Sequence, residues 1–373
     1  MPDATTPLET RACGTPAEST AGLLGLLASP RACPEALERA LSDLPGEERA
    51  PLLERIAFHR IDGLAHRALE ALPRAAQDPW LRPVLKRRYQ RLAAATLAQG
   101  LALAELLEAF DGARVPVLVM RGLRSVEGIY GDPGLRPFED HDLMVPPAAF
   151  EAARAVLNRQ GFAEPAPGLH RRGGLIVDLH VDPLGARRRP SRQAIFPIPV
   201  EGLFARALPG LVAGAPALRL APEDEMHLLA IHLVKHSFDR LIRIADLAHL
   251  MVGHGQAVCW EALRRRAEES RTLRLVGWAL EAATLLGAAF PAAFRPAPIP
   301  GAIEAALMRR VLELRPLPYT GEVLMACAAR RLSDRVLFLM DALLPAGEVP
   351  ADNWSRAAAL PRRTAALARG AVE

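Results

Sequence analysis

Lysine is nearly absent from this chain: Lys86 and Lys235 are the only two among 46 basic residues, so a formal net charge of +4 is carried by arginine. Aromatic residues are scarce too, at 5 %. No basic run interleaved with aromatic side chains occurs, which argues against a nucleic-acid interface despite a pI near 9.1. The arginine skew, beside abundant Ala, Leu and Pro, reads as the signature of a GC-rich genome. Cysteine is sparse and scattered: Cys13, Cys33, Cys259 and Cys327 form no Cys-x-x-Cys pair. That excludes a zinc site and a disulfide framework and predicts free thiols. Asp3, Glu9 and Arg11 precede any apolar stretch, and Glu281 interrupts the apolar run near Val276. Neither a secretory signal nor a membrane span is expected, so the expected location is cytoplasmic, with no membrane partner.

With 373 residues, half of them hydrophobic and 24 % charged, the chain has enough apolar surface for one large or two ordinary cores. Residues 1–20, rich in Thr, Pro, Ala and Gly, predict a disordered tail. Residues 21–112 read as a helical region: Leu23 to Leu27, Leu37 to Leu44 and Leu52 to Ala71, then a long helix from Trp80 to Phe110. In that long helix Leu92, Leu97, Leu101, Leu103, Leu106 and Leu107 recur at helical spacing before the Asp111-Gly112 stop. An α/β core is expected over 113–200, with a helix from Ala148 to Gln160. Helical periodicity returns over 201–345, in segments starting near Glu223, Leu241, Trp260, Leu273, Ile303 and Leu324, and a tail with room for a helix covers 346–373.

The core carries the chemistry. Val115 to Met120 reads as a buried strand running into Arg121-Gly122-Leu-Arg-Ser125 and a short amphipathic segment ending near Tyr130. Strand, glycine turn, helix is a geometry in which backbone N–H groups and the helix start can approach an anion. Asp140 and Asp142 follow, one residue apart. In a strand, side chains at i and i+2 leave on the same face, so the two carboxylates can grip one hard cation or two neighbouring ones. Leu175 to Asp182 alternates apolar and polar residues, so Asp178, or Asp182 on the same face, can add a third carboxylate beside His180.

In order, these motifs resemble the uncharacterised nucleotidyltransferase family of the DNA polymerase β-like superfamily. The segments that carry the resemblance are Arg121-Gly122, Tyr130, Gly131 to Arg136, Asp140-His141-Asp142, Asp178-Leu179-His180, His232 to His236 and Asp246-Leu247-Ala248. It covers roughly Pro116 to Leu250. Two positions depart from the family pattern: Arg121 stands where a lysine is usual, and His141 where an apolar residue is usual. An arginine keeps the charge and gains a fork for phosphate oxygens, but loses a compact titratable amine.

The resemblance implies an α+β fold: a small mixed-sheet nucleotidyltransferase core between helical flanks. It also implies Mg²⁺, or Mn²⁺, held by Asp140, Asp142 and Asp178, and a nucleoside triphosphate as substrate. Arg121, Gly122, Ser125, Arg136, His180, His232, Lys235 and His236 are the candidates for binding nucleotide and phosphate. Arg136 could instead hold the Asp140 loop through a carboxylate fork, and His232 with His236 could belong to a buried network joining core and helical lobe. A zinc-protease reading of those histidines fails, because Leu233 stands where the general-base Glu belongs. The acceptor is open between a small molecule, a peptide and a protein. The competing readings are a catalytically silent nucleotide-binding protein and an RNA-end or tRNA-modifying transferase.

Overall fold

The computed structural model describes residues 20–74, 78–185, 190–294 and 301–343. The tails expected over 1–20 and 346–373, and Cys13, lie outside the described residues, residue 20 and its helix excepted. The three other cysteines are free thiols.

A seven-stranded mixed sheet stands between helices, as expected for a nucleotidyltransferase-type core. Its strands are β1 (Leu118–Val119), β2 (His141–Met144), β3 (Ala163–Ala166), β4 (Leu169–Arg172), β5 (Leu175–His180), β6 (Leu208–Val212) and β7 (Ala215–Arg219). The spatial order is β3-β4-β5-β2-β1-β7-β6, with β2/β5 and β1/β7 parallel and the other pairs antiparallel. The β6–β7 hairpin lies beyond residue 200, where the sequence places the end of the α/β core.

Alternation along the strands assigns each face of the sheet. Val117, Val119, Leu143, Val145, Val177 and Leu179 pack with Leu103, Leu106, Leu107 and Phe110 of the long helix and with the Phe150–Arg159 helix. Leu118, Met120 and Met144 face the opposite way and join the larger core of the helical lobes. Asp142 shares its strand face with Met144, so the period of two turns this carboxylate toward the helical lobes.

The N-terminal helices are Thr20–Ala28, Pro34–Ser42, Arg49–His59, Asp62–Glu70 and Leu81–Gly112. The helix expected from Leu52 to Ala71 is two helices, because Arg60 turns left-handed at φ 60°. The amides of Arg60 and Ile61 then cap the carbonyls of Ala57 and Ile56. Gly63, in the second of these helices, packs so tightly on the loop before β2 that a Cβ there would come within 2.0 Å of the Gly134 carbonyl oxygen.

Leu81–Gly112 is, among the described residues, the one helix long and apolar enough to cross a membrane. Its C-terminal half is instead part of the sheet's core, while Leu97 and Leu101, expected on its apolar face, are 61 % and 74 % exposed.

The C-terminal lobe is built on Pro222–Lys235, which packs against Leu241–His254, Trp260–Glu269, Leu273–Ala283 and Thr320–Ala328. The single helix expected from Leu324 to Leu344 divides at Ala329, where the backbone becomes extended, and Leu332–Leu343 follows. Arg335 Nε takes the carbonyl of Ala329 exposed by the break, at 3.1 Å.

His227 sits deep in this lobe, with Nε2 2.6 Å from Thr272 Oγ1 and 3.5 Å from Ser270 Oγ. Burial holds its ring down to about 3, and the charges of Arg266 and Arg206 act the same way. A neutral folded ring whose unfolded form titrates near 6.5 makes stability fall as pH drops below about 6.5, until the folded ring itself protonates. Between pH 6.5 and 5.5, where the unfolded ring goes from half to mostly protonated, His227 alone should therefore cost about 1 kcal/mol. Urea unfolding at pH 6.5 and 5.5, for wild type and His227→Asn, reads this directly. The slope with pH should be shallower in the variant by about that amount, and equal slopes would refute the assignment.

Candidate active site

The parallel pairing of β2 with β5 sets Asp142 opposite Asp178 and Met144 opposite His180. All of these point to one face, toward the helical lobe; Met144 joins the core there, while Asp142, Asp178 and His180 line one cavity of about 550 Å³. Arg121, Gly122, Arg136, Asp140, Asp142, Asp178, His180, His232, Lys235 and His236 line it, every candidate residue except Ser125. Ser125 is 2 % exposed, in the short turn of helix after Gly122, and does not line the cavity.

Asp142 is the hub. Its Oδ2 accepts from Arg121 Nε at 2.9 Å, and its Oδ1 lies 2.8 Å from Arg121 Nη2 and 2.9 Å from His180 Nε2. His180 Nε2 is also 3.4 Å from Asp178 Oδ2. Burial pushes the Asp142 carboxyl up, but Arg121 and His180 outweigh it and hold the group well below the ordinary carboxylate range. Asp140 moves the other way: burial first, then the charge of Asp142, raises it.

Asp142, Asp178 and His180 each offer a ligand atom, all within 4.8 Å of one another. Neighbouring donors on one small dication, with bonds of about 2.1 Å, stand about 3 Å apart, so the spacing fits a shared ion. Asp140, raised by burial and then by the charge of Asp142, lines the same cavity. The residues present therefore suit a divalent metal, with Asp140 beside the three-residue set rather than in it.

Gly122 adopts φ 80°, a conformation open to glycine. A Cβ there would lie 2.7 Å from the Asp140 carbonyl oxygen and 2.8 Å from His141 Nδ1. The close approach of this strand-to-helix turn to β2 thus requires the glycine. His141, which the sequence leaves open between core and strand edge, is fully buried beside Phe138, and its Nδ1 faces the Leu123 amide at 3.4 Å. Burial lowers its ring to about 4.

The cavity is also lined by residues of the helical lobe. His232, Lys235 and His236 come from the end of the Pro222–Lys235 helix, and Arg243 from the next helix. Burial, then the charges of Arg121 and Arg192, push Lys235 down to about 8. Among the described residues Lys235 makes no ion pair. Burial, helped by Arg243, lowers His236 to about 3, and burial with Arg121 takes His232 well below its ordinary value. The two rings, 4.3 Å apart, are thus neutral near pH 7, and among the described residues Nδ1 of His232 has no hydrogen-bond partner.

Arg136 forks onto Asp246, with Nη2 2.8 Å from Oδ2 and Nε 3.1 and 3.2 Å from the two oxygens. Tyr130 donates to the same carboxylate at 2.9 Å. The carboxylate fork open to Arg136 from the sequence is the one formed, with Asp246 of the helical lobe as its partner. This pair ties the loop before β2 to that lobe.

Sequence reasoning missed Arg60, Arg192 and Glu322, which also line the cavity. Arg60 pairs with Glu139, and Arg192 reaches Glu322 at 3.4 Å. These residues lie far from the motifs and belong to no pattern. Pro167 and Gly168 were missed too, although a Pro-Gly pair is a turn signal. They form the tip of the β3–β4 hairpin, where the Gly168 carbonyl accepts from the Leu179 amide at 2.7 Å.

No curated protein and no solved structure matches the chain. A model of the uncharacterised nucleotidyltransferases does match, over residues 45–287, spanning both the sheet and the basic helix, and the chain belongs to that family.

Proposed function

We propose that the chain moves a nucleoside monophosphate from a nucleoside triphosphate to a hydroxyl acceptor (small molecule, peptide or protein) and releases pyrophosphate. One observation carries this reading: β2 and β5 in parallel register bring Asp142, Asp178 and His180 together in a single cavity that Lys235 and Arg243 also line. Carboxylates and cations lining one cavity suit a substrate that is polyanionic and metal-bound.

Asp142 and Asp178, with His180 and Asp140 beside them, would hold Mg²⁺ or Mn²⁺. When bound, the metal neutralises phosphate charge and lowers the pKa of a hydroxyl nucleophile. Lys235, about 8 and so mostly protonated at pH 7, and Arg243 attract the triphosphate. Asp178 would take the acceptor's proton. The neutral rings of His232 and His236 can give or accept a hydrogen bond without adding charge. Arg136, held by Asp246, fixes the loop that carries Asp140.

One observation favours a second reading, nucleotide binding without transfer: Arg121 engages both oxygens of Asp142. Calorimetric titration with each of the four ribonucleoside triphosphates, with and without Mg²⁺, separates the outcomes. Magnesium-dependent binding, lost in an Asp140→Asn, Asp142→Asn double variant, is expected. Binding that is indifferent to Mg²⁺ and to the double substitution would favour the silent reading, and no binding at all would overturn both.

A further inference from the structure

The fork of Arg121 on Asp142 sets a condition on how the site fills. Arg121 is 5 % exposed and reaches Asp142 with Nε and Nη2, one nitrogen on each oxygen, at 2.9 and 2.8 Å. A cation using Asp142 must compete with a bidentate, charge-assisted pair whose two side chains are largely buried. The same guanidinium belongs to the cavity lining, and its positive charge acts on Lys235 and His232. Once off the carboxylate, it would stand as an uncompensated cation beside other cations, a state that an arriving polyphosphate relieves.

We infer that Arg121 couples metal entry to triphosphate binding: it guards Asp142 against a bare divalent cation and turns to the phosphates when metal and triphosphate arrive together. This rests on the transfer reading above and adds a positioning role that a lysine at this place could not fill. A lysine offers a single point charge and cannot fork both oxygens. The consequence is a site that discriminates against free metal and accepts the metal–triphosphate complex. The two affinities therefore respond to Arg121 with opposite signs, which a merely structural role would not produce.

The test uses the full chain and two probes, free Mn²⁺ and the preformed complex of Mn²⁺ with inorganic tripolyphosphate. Loss of the six-line paramagnetic resonance signal of free Mn²⁺ reads the first, and calorimetry the second. Arg121→Gln should bind free Mn²⁺ at least about tenfold tighter than wild type and the complex at least about tenfold more weakly, each shift about 1.4 kcal/mol. Arg121→Lys should bind free Mn²⁺ tighter than wild type by a smaller factor, with affinity for the complex nearly unchanged. Should Arg121→Gln fail to fold, the tighter Mn²⁺ binding of Arg121→Lys decides alone. Free-Mn²⁺ affinity that is unchanged or weaker in the folded variants would overturn the coupling while leaving nucleotidyl transfer standing. A wild type that does not bind the Mn²⁺–tripolyphosphate complex at all would overturn both.

Discussion

Asp142→Asn should reduce nucleotidyl transfer by roughly 10²–10³-fold or more, read as pyrophosphate release in the presence of hydroxyl-bearing acceptors, because charge stabilisation at a preorganised site is worth that much. Asparagine keeps the shape of the side chain but removes the charge that a metal needs. It also removes the anion that Arg121 and His180 share, so Arg121 is left buried without its counterion. The fold must therefore be checked by circular dichroism at the assay temperature, and the comparison made only on folded protein. A diagnostic companion effect is expected at Asp140. Its carboxyl is raised first by burial and then by the charge of Asp142, so removing that charge should lower its proton affinity, visible by carbonyl-edited NMR. Turnover within a factor of about three of wild type would mean less than 1 kcal/mol of transition-state stabilisation was lost, too little for a metal ligand.

Much of this site can be read from the sequence because its parts follow local rules. The period of two in Leu175 to His180 places Asp178 and His180 on one face, whereas β2 starts at His141, so Asp140 lies just before the strand and the i, i+2 spacing does not set it beside Asp142. What the sequence does not carry is the register that sets Asp142 opposite Asp178, since β2 and β5 are joined by a helix and a hairpin, and parallel pairing is a long-range choice. It also does not reveal that Arg121 spends its charge on Asp142, or that Asp140 stands outside the closest ligand set. Both depend on which oxygen meets which donor. Arg60 reaches the cavity from the turn between two helices, and Arg192 and Glu322 from two further helices, so only the packing of the lobes brings them in. Leu97 and Leu101 show the converse error: helical periodicity marked them as core, but the sheet covers only the last turns of their helix.

The connection between lobes should be the most costly place to cut. Asp246 is 2 % exposed, forks Arg136, itself 8 % exposed, and accepts from Tyr130. Burial and then the charge of Asp246 hold the Tyr130 hydroxyl well above its ordinary value, so it remains a donor at every pH of interest. Asp246→Ala removes one partner of a buried pair and leaves an uncompensated guanidinium and an orphaned hydroxyl, a loss of roughly 3–5 kcal/mol. Urea unfolding should show this as a lower midpoint. Removing both charges is a different matter, because the desolvation penalty of the pair disappears with it. Asp246→Ala combined with Arg136→Met should therefore be more stable than Asp246→Ala alone, by roughly half of the loss or more. Arg136 lines the cavity, so this double variant should fold yet position the Asp140 loop poorly, weakening triphosphate binding while the helical lobe stays intact. If Asp246→Ala costs less than about 1 kcal/mol, the figure expected of an exposed pair, then the contact is incidental and the lobes are held by apolar packing alone.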